Sequence, residues 1–109
     1  MAKSTCLSKK KYKLLLNTIV VEFYKEVTND NDSWIFGETE FNASVFTIRI
    51  STFDKDGQPL PEDVIETTLR HELFHAILKS LYIPDGDNET VVEWLANATQ
   101  ILNKQGLSI

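Results

Sequence analysis

The sequence predicts an α+β domain made of an N-terminal helix, a small antiparallel sheet, a helix carrying a histidine motif and a C-terminal helix. Apolar residues recur at helical spacing in three segments, while the middle of the chain alternates with period two. Polar or proline-containing turns separate these stretches. With 109 residues, 42% of them hydrophobic, the chain is read as a single domain, residues 1–109, with one modest core.

Taken in order, Ser8 caps a helix running to about residue 27, with Tyr12, Leu16, Ile19, Phe23 and Val27 along one face. Lys9, Lys10, Lys11 and Lys13 at its start form a solvated face. The polar run from Thr28 to Ser33 is a loop. A strand begins at Trp34-Ile35-Phe36, Gly37 marks a bulge or bend, and a turn near Phe41-Asn42-Ala43 leads into a second strand. That strand puts Phe46, Ile48 and Ile50 on one face and Val45, Thr47, Arg49 and Ser51 on the other, so the two pair as a hairpin. Asp54-Lys55-Asp56-Gly57 is a turn; its Asp-x-Asp spacing is that of a calcium loop, but Ile65 stands where such a loop needs glutamate.

Pro61, Glu62 and Asp63 open the next helix, because proline tolerates the first turn and carboxylates suit the positive helix end. Ile65, Leu69, Leu73, Phe74, Ile77, Leu78 and Leu81 give it a wide apolar arc, which predicts a largely buried helix ending near Ile83-Pro84. After a loop, Asp87 or Asn88 caps a last helix from about Glu89 to Lys104, ended near Gly106.

Composition excludes several classes of function. A net charge of −5 and a pI near 4.9 disfavour a phosphate backbone as the main partner, so nucleic-acid binding is not expected. Cys6 is the only cysteine, which precludes an intrachain disulfide or a thiolate metal cluster and suits a reducing, cytoplasmic setting. No apolar run reaches the length of a membrane span, and no cleavable leader is visible at the N-terminus. Without a secretory route, the three Asn-x-Ser/Thr matches at Asn42, Asn88 and Asn97 are chance.

The chemistry concentrates in His71-Glu72-Leu73-Phe74-His75, an H-E-x-x-H sequence holding both histidines of the chain. Helical residues four apart lie on one face, so both imidazoles can address one metal ion while Glu72 flanks them. Two helical histidines that bind nothing are the plain alternative. A catalytic zinc site takes three protein ligands plus water. With no third histidine and an isolated cysteine, a carboxylate must complete it. Glu89 and Glu93 share one face of the last helix, and either fits; alone they would read as an acidic first turn.

The pairing of H-E-x-x-H with a downstream glutamate helix resembles the gluzincins. Asn88-Glu89-Thr90-Val91-Val92-Glu93 is similar to the N-E-x-x-x-D pattern of thermolysin-type enzymes, with glutamate in the last place. Glu89-Thr90-Val91-Val92-Glu93-Trp94-Leu95-Ala96 looks like the E-x-x-A-N-x-F-A pattern of the ImmA/IrrE-like zinc peptidases of phages and mobile elements, departing from it at Val92 and Glu93. The resemblance spans residue 34 to about 102 and is specific only at the two helices. It implies that His71, His75 and Glu89 bind Zn2+, that Glu72 is the general base, and that Glu93 supports a ligand histidine from behind.

The expected function is that of a minimal zincin-like, cytoplasmic zinc metallopeptidase acting on a peptide or protein substrate laid along the free edge of the hairpin. Tyr82 and Arg49 are the candidates for stabilising the oxyanion. An inactive zinc-binding module kept for protein interaction is the alternative, and a metal-free helical domain a third reading.

Overall fold

A computed structural model describes residues 5–14, 17–81 and 88–106. Along these run strands β1 (Cys6–Leu14), β2 (Asn17–Tyr24), β3 (Val27–Thr28), β4 (Trp34–Ile35), β5 (Gly37–Asn42) and β6 (Val45–Ser51), then helices α1 (Glu62–Ser80) and α2 (Glu89–Lys104). The molecule is α+β, with a four-stranded sheet ordered β1-β2-β6-β5 and a two-stranded ribbon of β3 and β4. Pairing is antiparallel for β1–β2 and β5–β6 and parallel for β2–β6.

The expected N-terminal helix is instead the β1–β2 hairpin. The spacing that suggested a helix was ambiguous, because residues four apart share a face in a strand as well as in a helix. Composition decides between them: Thr18, Ile19, Val20, Val21, Phe23 and Tyr24 are β-branched or aromatic, and these types favour a pleated strand. In the strand Ile19, Val21 and Phe23 face the core, and Ile19 and Val21 are buried. The lysines of β1 are exposed, as expected, but they line the outer edge of a sheet and not a helix; charge on such an edge discourages further pairing.

The central hairpin matches its reading more closely. Val45–Ser51 alternates as predicted, with Phe46, Ile48 and Ile50 buried, and β5 pairs with it from Gly37 to Asn42. The turn falls one residue later than expected, with Ala43 in the left-handed region at φ 55. Trp34 and Ile35 belong to a different pairing, with β3. Ser51 clasps that ribbon to the sheet: its Oγ donates to the Ile35 carbonyl at 2.7 Å and accepts from the Val27 amide at 2.8 Å.

Gly37 is not a bulge; it pairs with Ile50, and the bend falls on Phe36. Its role is close approach. A Cβ there would lie 2.9 Å from Thr68 Cγ2, 3.0 Å from the Arg49 carbonyl oxygen and 3.0 Å from Ile50 Cδ1. One obstacle is backbone and cannot turn aside, so Gly37→Ala should lower unfolding stability by about 1–3 kcal/mol, the usual cost of overpacking. Urea denaturation measures it, and a variant as stable as the wild type would refute the close packing of β5 on α1.

Helix α1 lies across β5 and β6, and α2 packs on α1, burying Val92 and Ala96. The core joins Ile19, Val21, Phe46, Ile48, Ile50 and Ala76. The predicted burial of α1 needs correction. Ile65, Leu69, Leu73, Phe74 and Ile77 are only half-buried and Leu81 is exposed, whereas the buried positions are Glu72, His75, Ala76, Leu78 and Ser80. With a sheet on one side and one helix on the other, the deepest line of α1 runs through the histidine motif and not beside it.

α2 has the predicted bounds, and its cap is Asn88, whose Oδ1 accepts the Thr90 and Val91 amides. Gly106 follows at φ 96, a conformation glycine adopts without steric cost. The turn at Asp54–Gly57 is present, and Asp54 Oδ1 accepts the Asp56 and Gln58 amides. No helix among the described residues is long and apolar enough to cross a membrane.

Candidate metal centre

Three elements build the site. α1 supplies His71, Glu72 and His75, the first turns of α2 supply Glu89 and Glu93, and β5 supplies Thr39. The i, i+4 spacing sets the two imidazoles edge to face, with ring centroids 4.9 Å apart and planes at 72°.

Glu89 spans both rings. Its Oε2 lies 2.8 Å from His71 Nε2 and its Oε1 3.0 Å from His75 Nε2. On the far side of His71, Nδ1 stands 2.8 Å from Glu93 Oε2. Among the described residues, His71, Glu72 and His75 bring ligand atoms within 4.8 Å of one another. Proximity alone would therefore offer Glu72 as the third ligand. Glu72 Oε2 is farther from His71 Nε2, at 3.9 Å, and its Oε1 is engaged by the Thr39 hydroxyl at 2.6 Å. Glu89 is nearer to both rings and so fits the ligand place better.

The donor set suits a cation for a reason visible in His71. A neutral imidazole has one N–H. If Nδ1–H donates to Glu93, the lone pair on Nε2 faces the Glu89 carboxylate at 2.8 Å, acceptor against acceptor. A positive charge between them removes that conflict, and two imidazole nitrogens with a carboxylate form a recognised zinc ligand set. Ligand atoms of a tetrahedral zinc site stand about 3.3 Å apart, close to the spacing here. A doubly protonated His71 would also satisfy both carboxylates, and metal content separates the two states.

Burial divides the labour. The side chains of His75 and Glu72 are 9% and 10% exposed, while that of Glu89 is 72% exposed and closes the group from the solvent side. A cleft of about 710 Å³ opens beside His71, between Trp34, Phe36, Val64 and Thr68. A smaller recess of about 390 Å³ lies on the other side, against Thr39, Phe41 and His75. Strand β5 is an outer strand of the sheet and borders both.

The structure brings together His71, Glu72, His75, Glu89 and Glu93 of the residues singled out in the sequence. Tyr82 lies outside the described residues. Arg49 is elsewhere: on β6 it occupies the face opposite Phe46, Ile48 and Ile50, where it bonds Glu38 at 3.0 Å and Glu40 at 2.8 Å and lies 3.5 Å from Glu22. Burial works against its charge, but the hydrogen bonds to Glu40 and Glu38 outweigh it and hold the guanidinium above its ordinary range. Tyr24 joins this outer cluster, donating to Glu22 at 2.7 Å; burial first and that hydrogen bond second push its pKa up to about 12. Arg49 is thus part of an ion-pair network and does not reach the histidines.

Thr39 was missed. The alternation of Glu38, Thr39, Glu40, Phe41 and Asn42 carried the signal, since it turns Thr39 and Phe41 to the helix side and the carboxylates outward.

No protein-family model, curated protein or solved structure matches the chain.

Proposed function

We propose that the protein is a small gluzincin-like zinc metallopeptidase. The observation that carries this reading is the Glu89 carboxylate lying 2.8 Å and 3.0 Å from the two Nε2 atoms of an H-E-x-x-H helix. His71, His75 and Glu89 would hold the ion, and Glu93 would accept the Nδ1–H of His71, fixing the tautomer that leaves Nε2 free to bind. Bound zinc would acidify a water and polarise the scissile carbonyl. Glu72, held through Oε1 by Thr39, presents Oε2 toward the histidine nitrogens, where it takes the proton of the attacking water and passes it to the leaving amine. Peptide substrate would extend along the open edge of β5, adding a strand by main-chain hydrogen bonds between the two recesses.

Metal analysis of protein purified without added zinc tests the reading. One zinc per chain is expected, with a lower melting temperature in the presence of a chelator, because an ion bound only to the folded state stabilises it by mass action. Protein without metal, showing no thermal shift when zinc is added, would sink the proposal.

The removal of Arg49 to the outer face favours a second reading, a zinc-binding interaction module without hydrolytic activity. The two share the zinc result and part at hydrolysis: a zinc-loaded protein that cleaves nothing in a broad peptide library is the module.

A further inference from the structure

Resting on the metallopeptidase reading of the same site, we propose that the cleft between β4 and α1 receives a lysine or arginine side chain of the substrate, making the protein selective for basic peptides. The walls are apolar. Trp34 and Phe36 pack edge to face at 4.6 Å, and Phe36 is 50% exposed. Val64 and Thr68 form the α1 side.

The side-chain donors of Trp34, Thr67 and Thr68 are already engaged within the protein. The Trp34 indole N–H donates to the Phe53 carbonyl at 3.0 Å. The hydroxyls of Thr67 and Thr68 donate to the Asp63 and Val64 carbonyls, at 2.7 Å and 2.9 Å. Asp63, Glu72, Glu89 and Glu93 also line the cleft, and among the described residues no lysine or arginine lines it. The four carboxylates are not equivalent for a ligand. Glu72, Glu89 and Glu93 are engaged with Thr39 and the histidines, whereas the carboxylate of Asp63 forms no ion pair among the described residues.

Length matters as well as charge. Asp63 stands two turns before His71, about 12 Å along the helix axis at 1.5 Å per residue. A leucine or phenylalanine side chain attached near the metal position would fill the apolar part and leave the acidic end untouched. Lysine and arginine have an apolar stem for the walls and a cationic tip that can approach both the aromatic pair and Asp63. The α1 N-terminus would by itself attract an anion, but Glu62 and Asp63 in its first turn answer that positive end. An acidic side chain in this cleft would meet repulsion from Asp63.

The test uses the full chain with Glu72→Gln, which prevents turnover, and Trp94→Phe, which leaves Trp34 as the one indole signal. Zinc is added, and the Trp34 N–H resonance is followed by NMR against blocked peptides. These carry Arg, Lys, Leu, Phe or Glu at either residue flanking the central bond. Arg and Lys peptides are expected to shift Trp34 with Kd values about tenfold below the others, in keeping with one cation–aromatic and one ion-pair contact. Asp63→Asn should reduce this preference and Asp63→Lys abolish it, with melting temperatures showing that both variants fold. Equal or tighter binding of Leu, Phe or Glu peptides, or no shift with any peptide, overturns the assignment. Hydrolysis by protein with Glu72 intact is measured separately. Basic preference in binding without cleavage overturns the peptidase reading and leaves the cleft assignment, whereas cleavage without basic preference does the reverse.

Discussion

Glu72→Gln should lower kcat/KM for peptide hydrolysis by about 10²–10⁴-fold, the usual contribution of a positioned general base, with zinc affinity nearly intact. The geometry makes this a clean substitution. Glutamine keeps the side-chain length, and its carbonyl oxygen can still accept the Thr39 hydroxyl that Glu72 Oε1 accepts at 2.6 Å. The amide nitrogen then occupies the place of Oε2, presenting a donor where a proton must be accepted. Kinetics and metal analysis on the same preparation decide the matter. Loss of zinc in the variant would make Glu72 a ligand, the role its nearness to the two histidines would also permit.

The second large effect separates the two glutamates of α2. Glu93→Gln should weaken zinc binding by about 10–100-fold, as is typical when the partner behind a ligand histidine is lost, and Glu89→Gln should weaken it by more. Glu89 addresses Nε2 of both histidines, while Glu93 touches only Nδ1 of His71. On the proposed ligand set, removing Glu89 would take away a charge and a ligand atom, whereas removing Glu93 would free the ring to change tautomer and leave that set complete. Competition titrations against a chelator of known affinity measure both, and the reverse order would exchange the roles.

The clustering of His71, His75, Glu89 and Glu93 was more legible in the sequence than the fold that holds them. H-E-x-x-H and the Glu89/Glu93 pair depend on helical periodicity within one segment each, and α2 follows α1 closely, so local spacing carries most of their geometry. Residues 8–27 are ambiguous because Ile19, Phe23 and Val27 have a spacing compatible with both a helix and a strand, and only the β-branched composition breaks the tie. The partner of β2 was equally hidden. It pairs in parallel with β6, which no turn between them announces. Arg49 illustrates the limit of face assignment: its position opposite Ile48 and Ile50 was predicted, but the side of the sheet that α1 covers was needed to see that it faces away from the histidines. Thr39 could not be assigned a role until β5 had a register against β6.

The parallel pairing of β2 with β6 also has a kinetic consequence. Its partners, from Thr18 with Val45 to Tyr24 with Ser51, are each 27 residues apart (45 − 18 and 51 − 24), whereas both hairpins and the α1–α2 pair join neighbours in the chain. Local pairs close quickly, and distant ones lose loop entropy before their contacts compensate. The chain from Gly37 onward can thus gather β5, β6, α1 and α2 ahead of the β1–β2 hairpin, whose arrival completes the sheet. The joining of β2 to β6 is then the slow step, so a substitution at Val21, on a strand that supplies none of the candidate-site residues, should change how fast the fold is completed.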